Sequence, residues 1–85
     1  MTIKIEVRYF AALREQLGAA QSLELAQAAS VGELRDLLIA SSSQHAQALS
    51  RAKALRCALN KNLCAETALL SDGDELAFFP PVTGG

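Results

Sequence analysis

Cysteine occurs only twice in the 85 residues, at Cys57 and Cys64. Two are too few for a disulfide framework, a four-thiolate zinc site or an iron–sulfur cluster. They read as one buried small apolar residue and one loop thiol. Pairing across a hairpin is conceivable, but a reducing compartment disfavours it. Basic residues are in no excess either: eight Lys and Arg face nine Asp and Glu, for a net charge of −1. Duplex binding needs a basic face, so no nucleic-acid partner is expected. The longest apolar runs are a few residues, far short of the ~20 that span a bilayer. Met1 leads into a charged, alternating segment rather than an apolar leader core. The expectation is a cytoplasmic protein with no membrane partner. The single histidine, His45, has no other candidate ligand nearby and reads as solvated surface. A Ser/His/Asp set, a glycine-rich phosphate loop with its lysine and a metal cluster are all missing.

What is present is a globular composition, 51% hydrophobic and 20% charged in 9.0 kDa. One small domain is expected, with no room for a deep cleft beside a cofactor domain. Any chemistry must be local or borrowed from a partner.

From Thr2 to Tyr9 the chain alternates, with Ile3, Ile5, Val7 and Tyr9 on one parity and Lys4, Glu6 and Arg8 on the other. That is the period of a half-buried strand. Phe10, Leu13 and Leu17 then recur at helical spacing and Gly18 follows as a stop, predicting a short helix. Ser22 to Ala26 alternates again, a second strand able to pair with the first. Ser30-Val31-Gly32-Glu33 has the spacing of a capping box, with Val31, Leu34, Leu37, Leu38 and Ile39 supplying the apolar stripe of the main helix. A weaker helical stretch around Gln44 to Lys53 has Leu49 as its one large apolar anchor. Leu55, Cys57 and Leu59 predict a third strand, Asn60-Lys61-Asn62 a reversal, and Ser71-Asp72-Gly73-Asp74 a turn before the last strand, Glu75 to Phe79. Asp72, Asp74 and Glu75 read as turn and solubility residues. This order suits an α+β β-grasp roll, a mixed sheet of about four to five strands packed on one main helix. The first and last strands are expected to lie parallel at its centre.

Residues 1–79 then form the domain and residues 80–85 an extended tail. Pro80 and Pro81 lack N–H groups and force an extended backbone, ending the sheet pairing and stiffening the exit. Six residues reach up to about 20 Å. Gly84 and Gly85 have no Cβ and can thread a narrow channel, so the Gly85 carboxylate is the candidate reactive group. Parity puts Leu76 and Phe78 in the core and Phe79 on the opposite face beside Ala77, as an interface anchor. Phe10 is also out of phase with the first strand's buried set, either packed under the short helix or in an interface.

Leu70-Ser71-Asp72-Gly73-Asp74-Glu75, running into Phe78-Phe79-Pro80-Pro81-Val82-Thr83-Gly84-Gly85, resembles the C-terminus of the small, sulfur-carrying subunits of molybdopterin synthase. Tyr9-Phe10-Ala11-Ala12-Leu13-Arg14-Glu15 with Gly18 is similar to that family's first strand and helix. The alanine-rich middle adds only length. The resemblance implies a ubiquitin-like fold with a flexible Gly-Gly tail. It further implies a Gly85 carboxylate that an E1-like enzyme adenylates with ATP and magnesium, no cofactor being held permanently. A persulfide donor then converts it to a thiocarboxylate. The loaded tail, Pro80, Pro81, Val82, Thr83 and Gly84, would thread into the large catalytic subunit, in a heterotetramer. There the sulfur builds the dithiolene of molybdopterin on cyclic pyranopterin monophosphate. By motif position Phe10, Leu63 and Phe79 would form the partner-facing patch. A thiamine-branch sulfur carrier, a ubiquitin-type modifier and a β-grasp interaction module without terminal chemistry are the competing expectations.

Overall fold

The computed structural model describes residues 2–81. Five strands and three helices follow in the order β1 (Ile3–Tyr9), α1 (Ala12–Leu17), β2 (Ala20–Leu25), α2 (Val31–Ser41), α3 (Ser43–Ala48), β3 (Arg56–Leu59), β4 (Asn62–Cys64) and β5 (Glu75–Phe79). They make one sheet in the order β2-β1-β5-β3-β4. β1 runs antiparallel to β2 and parallel to β5, with Val7 opposite Leu76 and Tyr9 opposite Phe78. β3 runs antiparallel to both β5 and β4. The parallel pair at the centre is the β-grasp arrangement expected from the element order.

The alternation in β1 and β5 sends Ile5, Val7, Tyr9, Leu76 and Phe78 to one face, where they meet Val31, Leu34, Leu38, Ala48 and Leu49 from the helical side. Removing these apolar side chains from water is the main favourable contribution to folding. α2 starts at the predicted box: the Ser30 hydroxyl accepts from the Glu33 N–H at 3.2 Å, and the Glu33 carboxylate accepts from the Ser30 N–H at 2.9 Å.

Four local expectations need correction. The buried stripe of α2 is Val31, Leu34, Arg35 and Leu38, spaced i, i+3, i+4 and i+7, whereas Leu37 is 55% exposed. Helix position, not residue type, decides what is buried. The weaker helix is confined to Ser43–Ala48. Cys64 is no loop thiol, because it pairs across β3 with Cys57. His45 is no solvated surface residue either. Its Nε2 lies 2.9 Å from Gln21 Oε1 and its Nδ1 2.7 Å from the Ser42 hydroxyl, and its ring stands edge-on to Tyr9. Tyr9 donates to the same Gln21 oxygen at 2.7 Å, and because an amide oxygen only accepts, His45 Nε2 is the donor in its contact with Gln21.

The acidic turn holds the sheet rather than merely solvating it. Asp72 accepts from the Lys4 N–H at 2.7 Å, Asp74 accepts from the Ser71 N–H at 2.7 Å, and Gly73 turns the chain at φ 87°. Asn60, at φ 50°, donates through its side chain to Asp74 and accepts from the Glu75 N–H, each at 3.0 Å, which docks the β3–β4 hairpin onto the start of β5.

Candidate functional site: the outer face of the sheet

The sheet face turned away from the helices carries the second parity of every strand. Leu63 stands opposite Ala58, Ala58 opposite Ala77, and Ala77 opposite Arg8, one row running across four strands. The two alanines give this row a low floor. At its β1 end lies an open groove of about 390 Å³, with Phe10 and Phe79 as its large apolar walls and Arg8, Lys61 and Glu75 at its edge.

Phe10 is 46% exposed, which decides its alternatives against packing under α1. The cause is local. Ala11 adopts φ 55° and ψ −133°, a conformation that reverses the chain between β1 and α1 and leaves Phe10 on the outer side. Phe79 is half-buried on that side while its neighbour Phe78 is fully buried, as strand parity requires. Arg8 binds Glu75 at 2.5 Å and Glu6 at 3.0 Å, so the groove's rim is charged on both signs. Such exposed pairs contribute little to stability and more to orienting a partner.

Leu63 is 70% exposed at the other end of the row. It does not line the groove of Phe10 and Phe79. It lines a second open groove, of about 360 Å³, together with Arg56, Cys64 and Pro81. Pro80 is half-buried and Pro81 exposed where the chain leaves β5. The structure thus brings Phe10 and Phe79 together and puts Leu63 beside the start of the tail. Val82, Thr83, Gly84 and Gly85 lie outside the described residues.

Sequence reasoning missed Ala58, Arg8 and Lys61 as parts of this face. Arg8 was legible from its parity. Ala58 was not, because its place depends on the β3–β5 register, and Lys61 depends on the hairpin turn, where it takes φ 72°. Among the described residues, no group of His, Cys, Asp and Glu side chains could hold a metal ion, and no helix is long and apolar enough to cross a membrane.

Comparison with known proteins bears on what such a face serves. The ThiS family profile matches residues 7–85. The molybdopterin synthase sulfur carrier subunit of Escherichia coli is 43% identical over 95% of this chain and 99% of that protein. Among solved structures, the small archaeal modifier protein 1 of Haloferax volcanii superposes with a TM-score of 0.69 at 27% identity, covering 94% of this chain and 99% of that one. The complex of subunits 1 and 2 of the molybdopterin-converting factor from Helicobacter pylori contains a chain matching with a TM-score of 0.64 at 26% identity, covering 98% of this chain and 100% of that one. A ubiquitin-like β-grasp sheet, an apolar outer face beside a Pro-Pro exit and near full-length identity to a sulfur carrier subunit agree: the chain belongs to the ThiS family, among the molybdopterin synthase sulfur carrier subunits.

Proposed function

We propose that this chain is the sulfur-carrying small subunit of a molybdopterin synthase, not catalytic alone and working in the cytoplasm. Residues 1–79 serve as docking head and 80–85 as the tail that enters the partner's active site. The observation that carries this reading is the course of β5. The central strand ends at Phe79, on the outer face beside Phe10, and continues through Pro80 and Pro81 toward Gly84 and Gly85. A head that docks by this face directs its C-terminus into the partner.

The chemistry follows from the carboxylate. Its charge is delocalised and its leaving group would be oxide, so it is a poor electrophile. Adenylation of Gly85 by an E1-like enzyme, using ATP and magnesium, supplies a good leaving group. The terminal sulfur of a persulfide donor then displaces AMP to form an acyl disulfide, and a second thiol attacks the donor's sulfur in that S–S bond, leaving a thiocarboxylate on Gly85 and a disulfide on the donor. The large subunit holds cyclic pyranopterin monophosphate and the acid and base groups, and two successive carriers supply the two sulfurs of the dithiolene. Phe10, Phe79 and Leu63 make the apolar contact with that subunit, and Pro80 through Gly84 occupy its channel. The Helicobacter pylori subunit 1–subunit 2 complex supports the pairing of a chain of this fold with a large subunit.

The test is the intact mass of the chain after incubation with ATP, magnesium, an activating enzyme and a persulfide donor. A gain of about 16 Da, sulfur for oxygen at an acyl group, is expected. An unchanged mass with an active enzyme and donor overturns the reading. Likeness to a small archaeal modifier protein favours a second reading, attachment to lysines. Thiol-resistant covalent adducts in cell extracts that depend on Gly85 would support it.

A further inference from the structure

The carrier reading makes no use of the two cysteines. Cys57 and Cys64 are directly opposed across the antiparallel β3–β4 pair, and their sulfurs are 3.6 Å apart. Their exposures differ. Cys57 is 4% exposed, and its thiol donates to the Cys64 carbonyl at 3.3 Å. Cys64 is half-buried and lines the open groove beside Leu63 and Pro81. One thiol is therefore reachable from solvent while the other waits directly behind it.

We propose that Cys57 and Cys64 form an oxidisable dithiol, a covalent modification site at which a small disulfide oxidant is reduced and the β3–β4 hairpin closes into a cross-strand disulfide. In the first step the Cys64 thiol loses its proton, and its sulfur attacks one sulfur of the oxidant. A mixed disulfide forms and one small thiolate leaves. In the second step Cys57 loses its proton to solvent and attacks Cys64 Sγ, expelling the other small thiolate. Two protein thiols and one small disulfide become one protein disulfide and two small thiols, so electrons and atoms balance. The order is set by access, since Cys57 is buried and Cys64 is the more exposed of the two. Burial, then the hydrogen bond with Cys64, pushes the Cys57 thiol up to about 12, which makes its attack the slower step. Closure draws the sulfurs from 3.6 Å to a bonded distance of about 2.05 Å.

β4 is a three-residue edge strand whose ladder partner is β3 alone. A disulfide at its end would pin the strand that carries Leu63, adjoining the outer face. The site stands on the hairpin geometry and holds whether or not the chain carries sulfur.

The experiment uses the isolated chain in native buffer with glutathione disulfide, quenched by alkylation and read by intact mass. The expected product is a monomer lighter by about 2 Da, with no alkylatable thiol and full reversal by dithiothreitol. Cys57→Ser is expected to stop at one glutathione held on Cys64. Cys64→Ser is expected to leave Cys57 unmodified until the fold is denatured. Two alkylatable thiols remaining in the native wild type, a wild-type product that stalls as the mixed disulfide, or linkage between chains would each overturn the proposal. Thiocarboxylate formation is not part of the readout, so failure here is distinct from failure of the carrier function.

Discussion

The backbone N–H of Phe10 donates to the carbonyl of Phe78 at 3.3 Å, extending the β1–β5 pairing one step past Tyr9 and setting Phe10 beside Phe79 on the outer face. Two aromatic side chains far apart in sequence thus become one surface. An aromatic pair at the centre of a contact is where binding energy concentrates. Phe79→Ala is expected to weaken binding to the large subunit at least about tenfold while costing about 1 kcal/mol or less of stability, because the ring lies outside the core. Calorimetric titration and thermal unfolding of the same variant separate the two effects. A large loss of melting temperature with unchanged affinity would refute the placement.

The end of the chain should be intolerant of length. Deleting Gly85, or adding one residue after it, is expected to abolish thiocarboxylate formation while leaving the circular dichroism spectrum and unfolding transition unchanged. Among the described residues the last element ends at Phe79 and the core cluster runs from Ile5 to Phe78, so folding is expected to withstand a change at Gly85. Full sulfur transfer by the extended chain would sink the carrier reading.

Arg35 predicts a different outcome, structural rather than functional. It is 3% exposed, and its guanidinium donates to the carbonyls of Leu49 at 2.9 Å, Ser50 at 2.6 Å and Lys53 at 3.1 Å and to Glu66 at 2.5 Å. Removing it leaves three carbonyls and a carboxylate short of a donor. Arg35→Met should cost about 3 kcal/mol in denaturant unfolding. A loss below about 1 kcal/mol would mean that water satisfies these groups as well as the guanidinium does.

Glu66 gives the same network a pH signature. Burial would raise its carboxyl, but hydrogen bonds from Arg51 and Arg35 outweigh burial and hold it below the usual carboxylate range. A group whose folded pKa is depressed contributes stability above its unfolded value of about 4.3 and loses it as pH falls through the folded value. Melting temperature should therefore drop more steeply between about pH 5 and 3 in the wild type than in Glu66→Gln, which has no charge to lose. Parallel curves would exclude the linkage.

What was legible follows the range of the interactions. The alternation of Ile5, Val7 and Tyr9, the Ser30–Glu33 box and the parity separating Phe78 from Phe79 are set by neighbours within a few residues, and the structure repeats them. Arg35 went unread and His45 was misplaced because their partners, Glu66 and Gln21, are 31 and 24 residues away in sequence. The signal for Arg35 was present nonetheless, since it occupies the i+4 position of the stripe begun by Val31. Residue type concealed what the spacing gave. The grooves followed the same division: parity found Phe79, and only the sheet register placed Ala58 between Leu63 and Ala77.

Ala11 offers a test of how the face is built. Its φ of 55° and ψ of −133° belong to the first central position of a type II′ turn, which glycine fills at no steric cost and alanine does not. Strain at such a residue is on the order of 1–3 kcal/mol, while a glycine adds up to about 1 kcal/mol of unfolded-state entropy to be lost. Ala11→Gly should therefore raise stability by about 1 kcal/mol, read as a higher denaturant midpoint at unchanged slope. The Cβ it removes is no part of either outer groove, so affinity for the large subunit should hold. A lower midpoint would show that Ala11 does not adopt this conformation in solution, and the route by which Phe10 reaches the outer face would need another cause.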